Sequence, residues 1–80
     1  MITFEDIENI DDMSIQKILK EVNIKDVAIA LKGADDNISS IILKNQSSRA
    51  AQALREEINL LGALKVSQVE EAKRNIVKII

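Results

Sequence analysis

Paired carboxylates and paired hydroxyls are the residues of this chain whose types and spacing could do chemistry. Two acidic pairs, Asp11-Asp12 and Asp35-Asp36, could bind a metal ion or share a proton in acid–base work. Two serine pairs, Ser39-Ser40 and Ser47-Ser48, could supply a nucleophile if a base stood beside them. Each possibility needs further groups around the pair.

Those further groups are missing from the sequence. Each acidic pair stands where a helix needs an N-cap, a position that aspartate favours, and neither has calcium-loop spacing around it. The serine pairs have no lysine or histidine arranged as a base. The chain contains no histidine and no cysteine, which removes the usual general base, thiolate chemistry and most zinc sites. We therefore predict a protein that is not an enzyme and that uses no metal and no cofactor.

Composition narrows the class of partner. Eighty residues suffice for one domain, and 46% of them are hydrophobic, without a single proline. Phe4 is the only aromatic residue, so bases have almost nothing to stack on. The 11 basic and 13 acidic residues are mixed along the chain and leave a net charge of −2, without the basic stripe of a duplex-binding domain. No apolar run approaches the roughly 20 residues that span a bilayer. The sequence thus predicts neither nucleic-acid binding nor membrane insertion.

The strongest candidate for a binding surface is the helix predicted from Ser48 to Leu61. At 100° per residue, one face of this helix is apolar. That face holds Ala50, Ala51, Leu54, Ile58 and Leu61. The opposite face is polar and holds Arg49, Gln52, Arg55, Glu56, Glu57 and Asn59. Periodicity alone favours a solvated outer face over a functional one.

Two details of the polar face favour a partner. Arg49 lies near the helix N-terminus, where its charge opposes the macrodipole, and the residue four positions on is Ala53 rather than an acid. Helix stability therefore does not explain Arg49. Leu60 interrupts the polar face beside Glu56 and Arg49, which is a modest indication of a contact surface.

The elements that must position these residues are predicted as an all-α, compact bundle of about six short helices. The expected N-caps are Thr3, Asp11 or Asp12, Asn23, Asp35 or Asp36, Ser47 or Ser48, and a capping box from Ser67 to Glu70. Gly33 is expected to close the third helix in a left-handed conformation, and Gly62 to end the fifth. The residues predicted to face the core are Phe4, Ile7, Ile10, Ile15, Ile18, Leu19, Val22, Ile24, Val27, Ala28, Leu31, Ile38, Ile41, Ile42, Val69, Ala72, Ile76 and Val77.

Several segments in order give a specific resemblance. They are Phe4-Glu5-Asp6-Ile7, Asp11-Asp12, Ser14-Ile15-Gln16, Ala30-Leu31-Lys32-Gly33-Ala34, Asn45 with Ser48-Arg49-Ala50-Ala51, and Val69-Glu70-Glu71-Ala72. Together they resemble the C-terminal domain family of FliG, the flagellar motor switch protein, over essentially the whole chain. The resemblance implies an armadillo-like helical fold. It also implies that residues 1–80 are a fragment of the torque domain, truncated at the C-terminus, where Ile79-Ile80 ends a helix without a cap.

Two positions depart from the family pattern. The family usually opens with Met-Phe-x-Phe, a hinge, where this chain has Met1-Ile2-Thr3-Phe4, so Met1 would be an internal hinge residue. The family usually has methionine where this chain has Gln46, which places a polar side chain at a packing position. Neither departure falls on the polar face of the helix predicted from Ser48 to Leu61.

The resemblance implies an electrostatic contact between rotor and stator. The torque-associated positions of the family correspond to Lys32, Arg49, Glu56, Glu57 and Lys65. Glu56 and Glu57 stand where the family has aspartates, and Lys65 where it has arginine, so every charge sign is kept. The implied partner is the cytoplasmic loop of the stator protein MotA.

The resemblance also implies an assembly and a location. Neighbouring FliG subunits and FliM would be further partners in the C-ring that supports direction switching in chemotaxis, and the membrane-ring protein FliF would bind through regions outside these 80 residues. The domain would lie at the cytoplasmic face of the inner membrane, in the flagellar basal body. The sequence leaves two alternatives: a cytoplasmic helical regulatory domain of a magnesium transporter, and a generic helical oligomerisation module.

Overall fold

The structure is a computed structural model that describes residues 3–80. The hinge implied at Met1 lies outside these described residues. A 3-10 helix, Phe4–Asn9, is followed by the α-helices α1 (Asp12–Glu21), α2 (Ile24–Lys32), α3 (Asp36–Lys44), α4 (Ser48–Leu60) and α5 (Val66–Val77). No strand occurs between residues 3 and 80. The predicted all-α bundle of six short helices is confirmed.

Four predicted N-caps are present, because each depends only on residues within one turn. The side chain that precedes each of α1 to α4 accepts a hydrogen bond from a main-chain N–H of the first turn. The pairs are Ser14 to Asp11 (3.1 Å), Lys25 to Asn23 (2.9 Å), Ile38 to Asp35 (2.9 Å) and Ala50 to Ser47 (3.1 Å).

The predicted start of the last helix is wrong by two residues. Helix α5 begins at Val66, and Ser67 lies inside its first turn rather than at the cap. The side chain of Gln68 accepts a hydrogen bond of 2.9 Å from the main-chain N–H of Lys65. Gln68 thus satisfies the donor before the helix, and the Ser67–Glu70 capping box is not formed.

Both glycines lie at the helix ends predicted for them, but Gly33 does not have the predicted left-handed conformation. Gly33 ends α2 with φ −101° and ψ 0°, and no glycine among residues 3–80 has a positive φ. The reason for glycine is space, since a β-carbon on Gly33 would lie 3.0 Å from Cγ1 of Val69. Helix α4 ends at Leu60, two residues before Gly62, which has nothing within 4 Å of its β-carbon position. Gly33 therefore allows α2 and α5 to approach closely.

Helix α2 is the centre of the bundle and packs against both α4 and α5, while the 3-10 helix packs against α3 and α5. The buried core consists of Phe4, Ile7, Ile15, Val27, Ala28, Ala30, Leu31, Ile38, Ile42, Ala51, Leu54, Ala72 and Ile76. Ile24 was expected inside but is 39% exposed, because it opens α2 at the edge of the bundle. The other predicted core positions that are only half-buried are Ile10, Ile18, Leu19, Val22, Ile41, Val69 and Val77.

Helix α1 is joined to the α3–α4 turn by a polar cluster around Asn45. The Asn45 amide donates to the main-chain oxygen of Ile41 (2.8 Å) and to Asp12 Oδ1 (3.2 Å), and it accepts from Gln16 Nε2 (3.2 Å). Lys44 Nζ lies 3.8 Å from the same Asp12 oxygen. Within the described part of the chain, no helix has both the length and the hydropathy to cross a membrane.

Candidate functional site

Helix α4 supplies the main part of the candidate surface. Its inner face is anchored by Leu54, which is fully buried, and by Ala51. A helix fixed along this stripe cannot rotate without exposing the core, so its outer side chains have fixed directions. Of the predicted inner face, Ala51 and Leu54 are buried, and Ala50, Ile58 and Leu61 are half-buried.

The outer face of α4 is charged and solvent-accessible. Arg49 and Glu56 are exposed and stand seven residues apart, which is two helical turns on one face, and Glu57 is half-buried beside them. Gln52 Nε2 donates a long hydrogen bond of 3.4 Å to Glu56 Oε1 one turn along. Arg49 lies in a first turn that has no acidic residue, so its charge has no local compensation at the helix start.

Lys32 joins this surface from a different helix. It is the last residue of α2, and its Nζ donates a hydrogen bond of 2.6 Å to the main-chain oxygen of Leu61, directly after α4. A cation at the C-terminal end of a helix is favourable because the last carbonyls there lack partners. The fold therefore places Lys32 at the end of α4, although Lys32 and Leu61 are 29 positions apart in the sequence.

Lys65 stands at the N-cap position of α5, four residues beyond Leu61. Its main-chain N–H is held by Gln68, whereas its side chain is exposed and makes no hydrogen bond or ion pair with residues 3–80. Lys65 thus lies on the α4–α5 connection, near the end of α4 that Lys32 contacts.

The five predicted site residues share one property. Across residues 3–80, the only ion pair is that between Lys44 and Asp12, so none of the five is neutralised by an opposite charge within 4 Å. Three are basic and two acidic, which leaves both signs available to a partner. Exposed charges of this kind contribute little to folding but act on an approaching molecule over about 8 Å at physiological salt.

The acidic pairs are used for structure. Asp11 accepts a 2.7 Å hydrogen bond from the Ser14 hydroxyl and a second bond from the Ser14 main-chain N–H. These bonds favour the ionised carboxylate and hold the pKa of Asp11 below its ordinary value. Asp35 caps α3 in the same way. No cluster of three or more potential metal ligands occurs between Thr3 and Ile80.

Two features of the surface were not singled out by sequence reasoning. The predicted cap at Ser67 would start the last helix after Val66, yet Val66 opens α5 with its side chain almost fully exposed. The contact between Lys32 and Leu61 was also not predicted. Lys32 bonds to a main-chain oxygen, which every residue type has, so the sequence does not indicate the acceptor. Only the spatial meeting of α2 and α4 reveals it.

Comparison with known proteins decides the family. The profile of the FliG C-terminal domain matches residues 1–80, the full length of the chain. The chain belongs to the FliG C-terminal domain family. Flagellar motor switch protein FliG of Thermotoga maritima is 48% identical over 80 residues, which are all of this chain and 24% of that protein. FliG of Helicobacter pylori is 42% identical over 80 residues, or 23% of its length.

Solved structures agree with this FliG assignment. A crystal structure of H. pylori FliG superposes with a TM-score of 0.94 at 43% identity, covering 99% of this chain and 37% of that one. Full-length FliG from Aquifex aeolicus gives the same TM-score and identity and is covered over 25% of its chain. The chain spans about a quarter of the length of the curated relatives it matches. These matches give no support to the magnesium-transporter or generic oligomerisation alternatives.

Proposed function

We propose that this chain is the torque domain of a flagellar motor switch protein, a rotor component that contacts the stator through a charged surface and carries out no catalysis. The proposal extends from the family, whose curated members are flagellar motor switch proteins. The observation that carries it is that Lys32, Arg49, Glu56, Glu57 and Lys65 all lie outside the core without an opposite charge within 4 Å in residues 3–80. We name these five residues the charged surface.

The physical demand on such a surface is rapid engagement and release. Exposed ion pairs contribute roughly 0–1 kcal/mol each, so a contact built from several of them forms and breaks quickly. Because the charged surface carries both signs, a partner with the complementary order of charges is attracted and one in the wrong register is repelled. The proposed partner is the cytoplasmic loop of MotA.

The rest of the assembly follows from the same proposal. Neighbouring copies of the protein and FliM would complete the C-ring, and FliF would bind through parts of the protein outside these 80 residues. The location would be the cytoplasmic face of the inner membrane, at the flagellar basal body. Residues 1–80 would be one torque domain whose sequence continues in the whole protein.

Charge reversal in the full-length protein tests the proposal. Lys32→Glu combined with Glu56→Lys keeps the net charge but reverses two signs on the charged surface, and it should abolish most of the torque of tethered cells. The matched control is Lys25→Glu with Glu21→Lys, which reverses two exposed residues that have no side-chain hydrogen bond or ion pair within residues 3–80. The control should rotate normally, and both variants should enter the rotor, as judged by a fluorescent fusion. Normal torque in the Lys32–Glu56 variant would refute the charged-surface proposal.

A further inference from the structure

Two large apolar side chains are almost fully exposed at one end of the bundle. Leu60, the last residue of α4, is 81% exposed, and Val66, the first residue of α5, is 78% exposed. Single exposed apolar residues are normal on a protein surface. Leu60 and Val66 are six residues apart, on either side of the connection between α4 and α5, so the packing of the segments around them matters.

Two contacts bring the neighbours of these residues together. Lys32 bonds to the main-chain oxygen of Leu61, next to Leu60, while Gly33 lies against Val69, one turn after Val66. The end of α2 thus lies between the end of α4 and the start of α5. Leu60 directly precedes Leu61 and Val66 lies one turn before Val69, with the exposed Ala63 between them in the sequence. We call Leu60, Ala63 and Val66 the apolar corner.

Charges of opposite sign flank the apolar corner on its two sides. Glu56 and Glu57 precede Leu60 by four and three residues on α4, so they lie one turn away from it. Lys65 directly precedes Val66, and the Lys32 ammonium reaches Leu61. An acidic flank on α4 and a basic flank at α2 and α5 therefore enclose the apolar corner.

We propose that the apolar corner is an anchor for an amphipathic helix of the stator, which places one or two large apolar side chains on Leu60 and Val66. This inference rests on the proposed function and deepens it. The helix would carry basic residues toward Glu56 and Glu57 and acidic residues toward Lys32 and Lys65. Charges steer the approach and select the orientation, whereas apolar burial is short-ranged and is not screened by salt, so it fixes the register once the surfaces meet.

The first test removes the apolar anchor and leaves every charge in place. Full-length protein carrying Leu60→Gln and Val66→Ser is compared with Met13→Gln, a polar substitution at a 71% exposed apolar residue on α1. The residence time of single stator units on the rotor is measured in tethered cells. We expect it to fall about tenfold in the double variant, the effect of losing one well-buried apolar contact, and to stay unchanged in Met13→Gln. An unchanged residence time in the double variant overturns the inference.

The charge reversals of Lys32 and Glu56 separate this inference from the proposed function. If the reversals shorten the residence time and the Leu60–Val66 variant does not, the anchor is wrong and the charged surface stands. If neither variant changes it, both proposals fall.

A labelling experiment tests for other occupants of the apolar corner. Full-length Leu60→Cys should react rapidly with a maleimide in cells without stators and be protected when stators are present. Protection without stators would show that another rotor segment or subunit covers the corner, and would overturn the stator assignment.

Discussion

The ammonium group of Lys32 and the main-chain oxygen of Leu61 lie 2.6 Å apart and join the C-terminal ends of α2 and α4. The contact gives Lys32 two possible roles, because it closes a helix end and also presents a positive charge at the surface. Variants at this position must separate the structural role from the binding role.

Lys32→Met should lower the free energy of unfolding of the domain by less than about 1 kcal/mol, since only one exposed hydrogen bond is lost. Lys32→Glu should lower it further, because a carboxylate would face the unpaired carbonyls at the end of α4. Urea unfolding followed by circular dichroism measures both, with Lys25→Met at the start of α2 as the control. A loss of several kcal/mol in Lys32→Met would mean that motility defects at this position reflect folding rather than binding.

The two glycines should respond differently to alanine. Gly62→Ala should stabilise the domain by about 0.4–1 kcal/mol, because its β-carbon position is open and the unfolded chain loses freedom. Gly33→Ala should be less stable than Gly62→Ala by about 1–2 kcal/mol, because the new methyl group meets Val69 at 3.0 Å. Thermal unfolding of the two variants gives the comparison. Equal stabilities would indicate that Val69 moves aside without cost.

Local features of this fold were predictable and contacts between distant segments were not. The caps at Asp11, Asn23, Asp35 and Ser47 follow from side chains that bond within one turn, so residue type and position suffice. The inner face of α4 follows from helical periodicity. The prediction of which outer residues form the charged surface came from the family resemblance.

The errors have a common physical origin. Gly33 was expected to be left-handed because glycine commonly ends helices that way, but its role is the close packing of α5 against α2, which only three-dimensional contacts reveal. The predicted Ser67 cap is absent: α5 begins at Val66, and the Gln68 side chain accepts from the main-chain N–H of Lys65. Val66 therefore lies in the first turn of α5, where its side chain is exposed.

Two leucines on α4, one on the inner and one on the outer face, can be compared by replacing each with alanine. Leu54 is 0% exposed, so Leu54→Ala should lower the free energy of unfolding by about 2–5 kcal/mol through lost burial and a residual cavity. Leu60→Ala removes a side chain that is exposed, and its effect should stay within about 0.5 kcal/mol. Chemical denaturation of both variants measures the change in the free energy of unfolding. A large decrease in Leu60→Ala would mean that the Leu60 side chain is packed in solution.

The Asp11 cap predicts a defined pH dependence. Because hydrogen bonds from Ser14 lower the pKa of Asp11 in the folded state, the ionised cap stabilises the fold above the ordinary aspartate pKa, and this contribution is lost as the pH falls through the folded value. Asp11→Asn keeps a side chain that can cap the helix but has no group that titrates. The stability difference between the wild type and Asp11→Asn should therefore shrink from pH 6 toward pH 2. A difference that is constant over this range would contradict a role for the charged carboxylate.

Gln46 offers a stabilising substitution. Its side-chain oxygen is buried, and no hydrogen-bond partner for it occurs among residues 3–80. It lies at the edge of a cavity of about 310 Å³ between α1 and the α3–α4 turn. A buried acceptor without a partner costs about 1–3 kcal/mol, whereas methionine has a similar length and no strongly polar atom.

Gln46→Met should accordingly raise the free energy of unfolding by about 1 kcal/mol. Gln52→Met is the matched control, because Gln52 is exposed on α4 and its only side-chain bond within the described chain is the long one to Glu56. That variant should change stability by no more than about 0.5 kcal/mol. Thermal and urea unfolding measure both. A loss of stability in Gln46→Met would contradict the expectation that the Gln46 oxygen is buried without a hydrogen-bond partner.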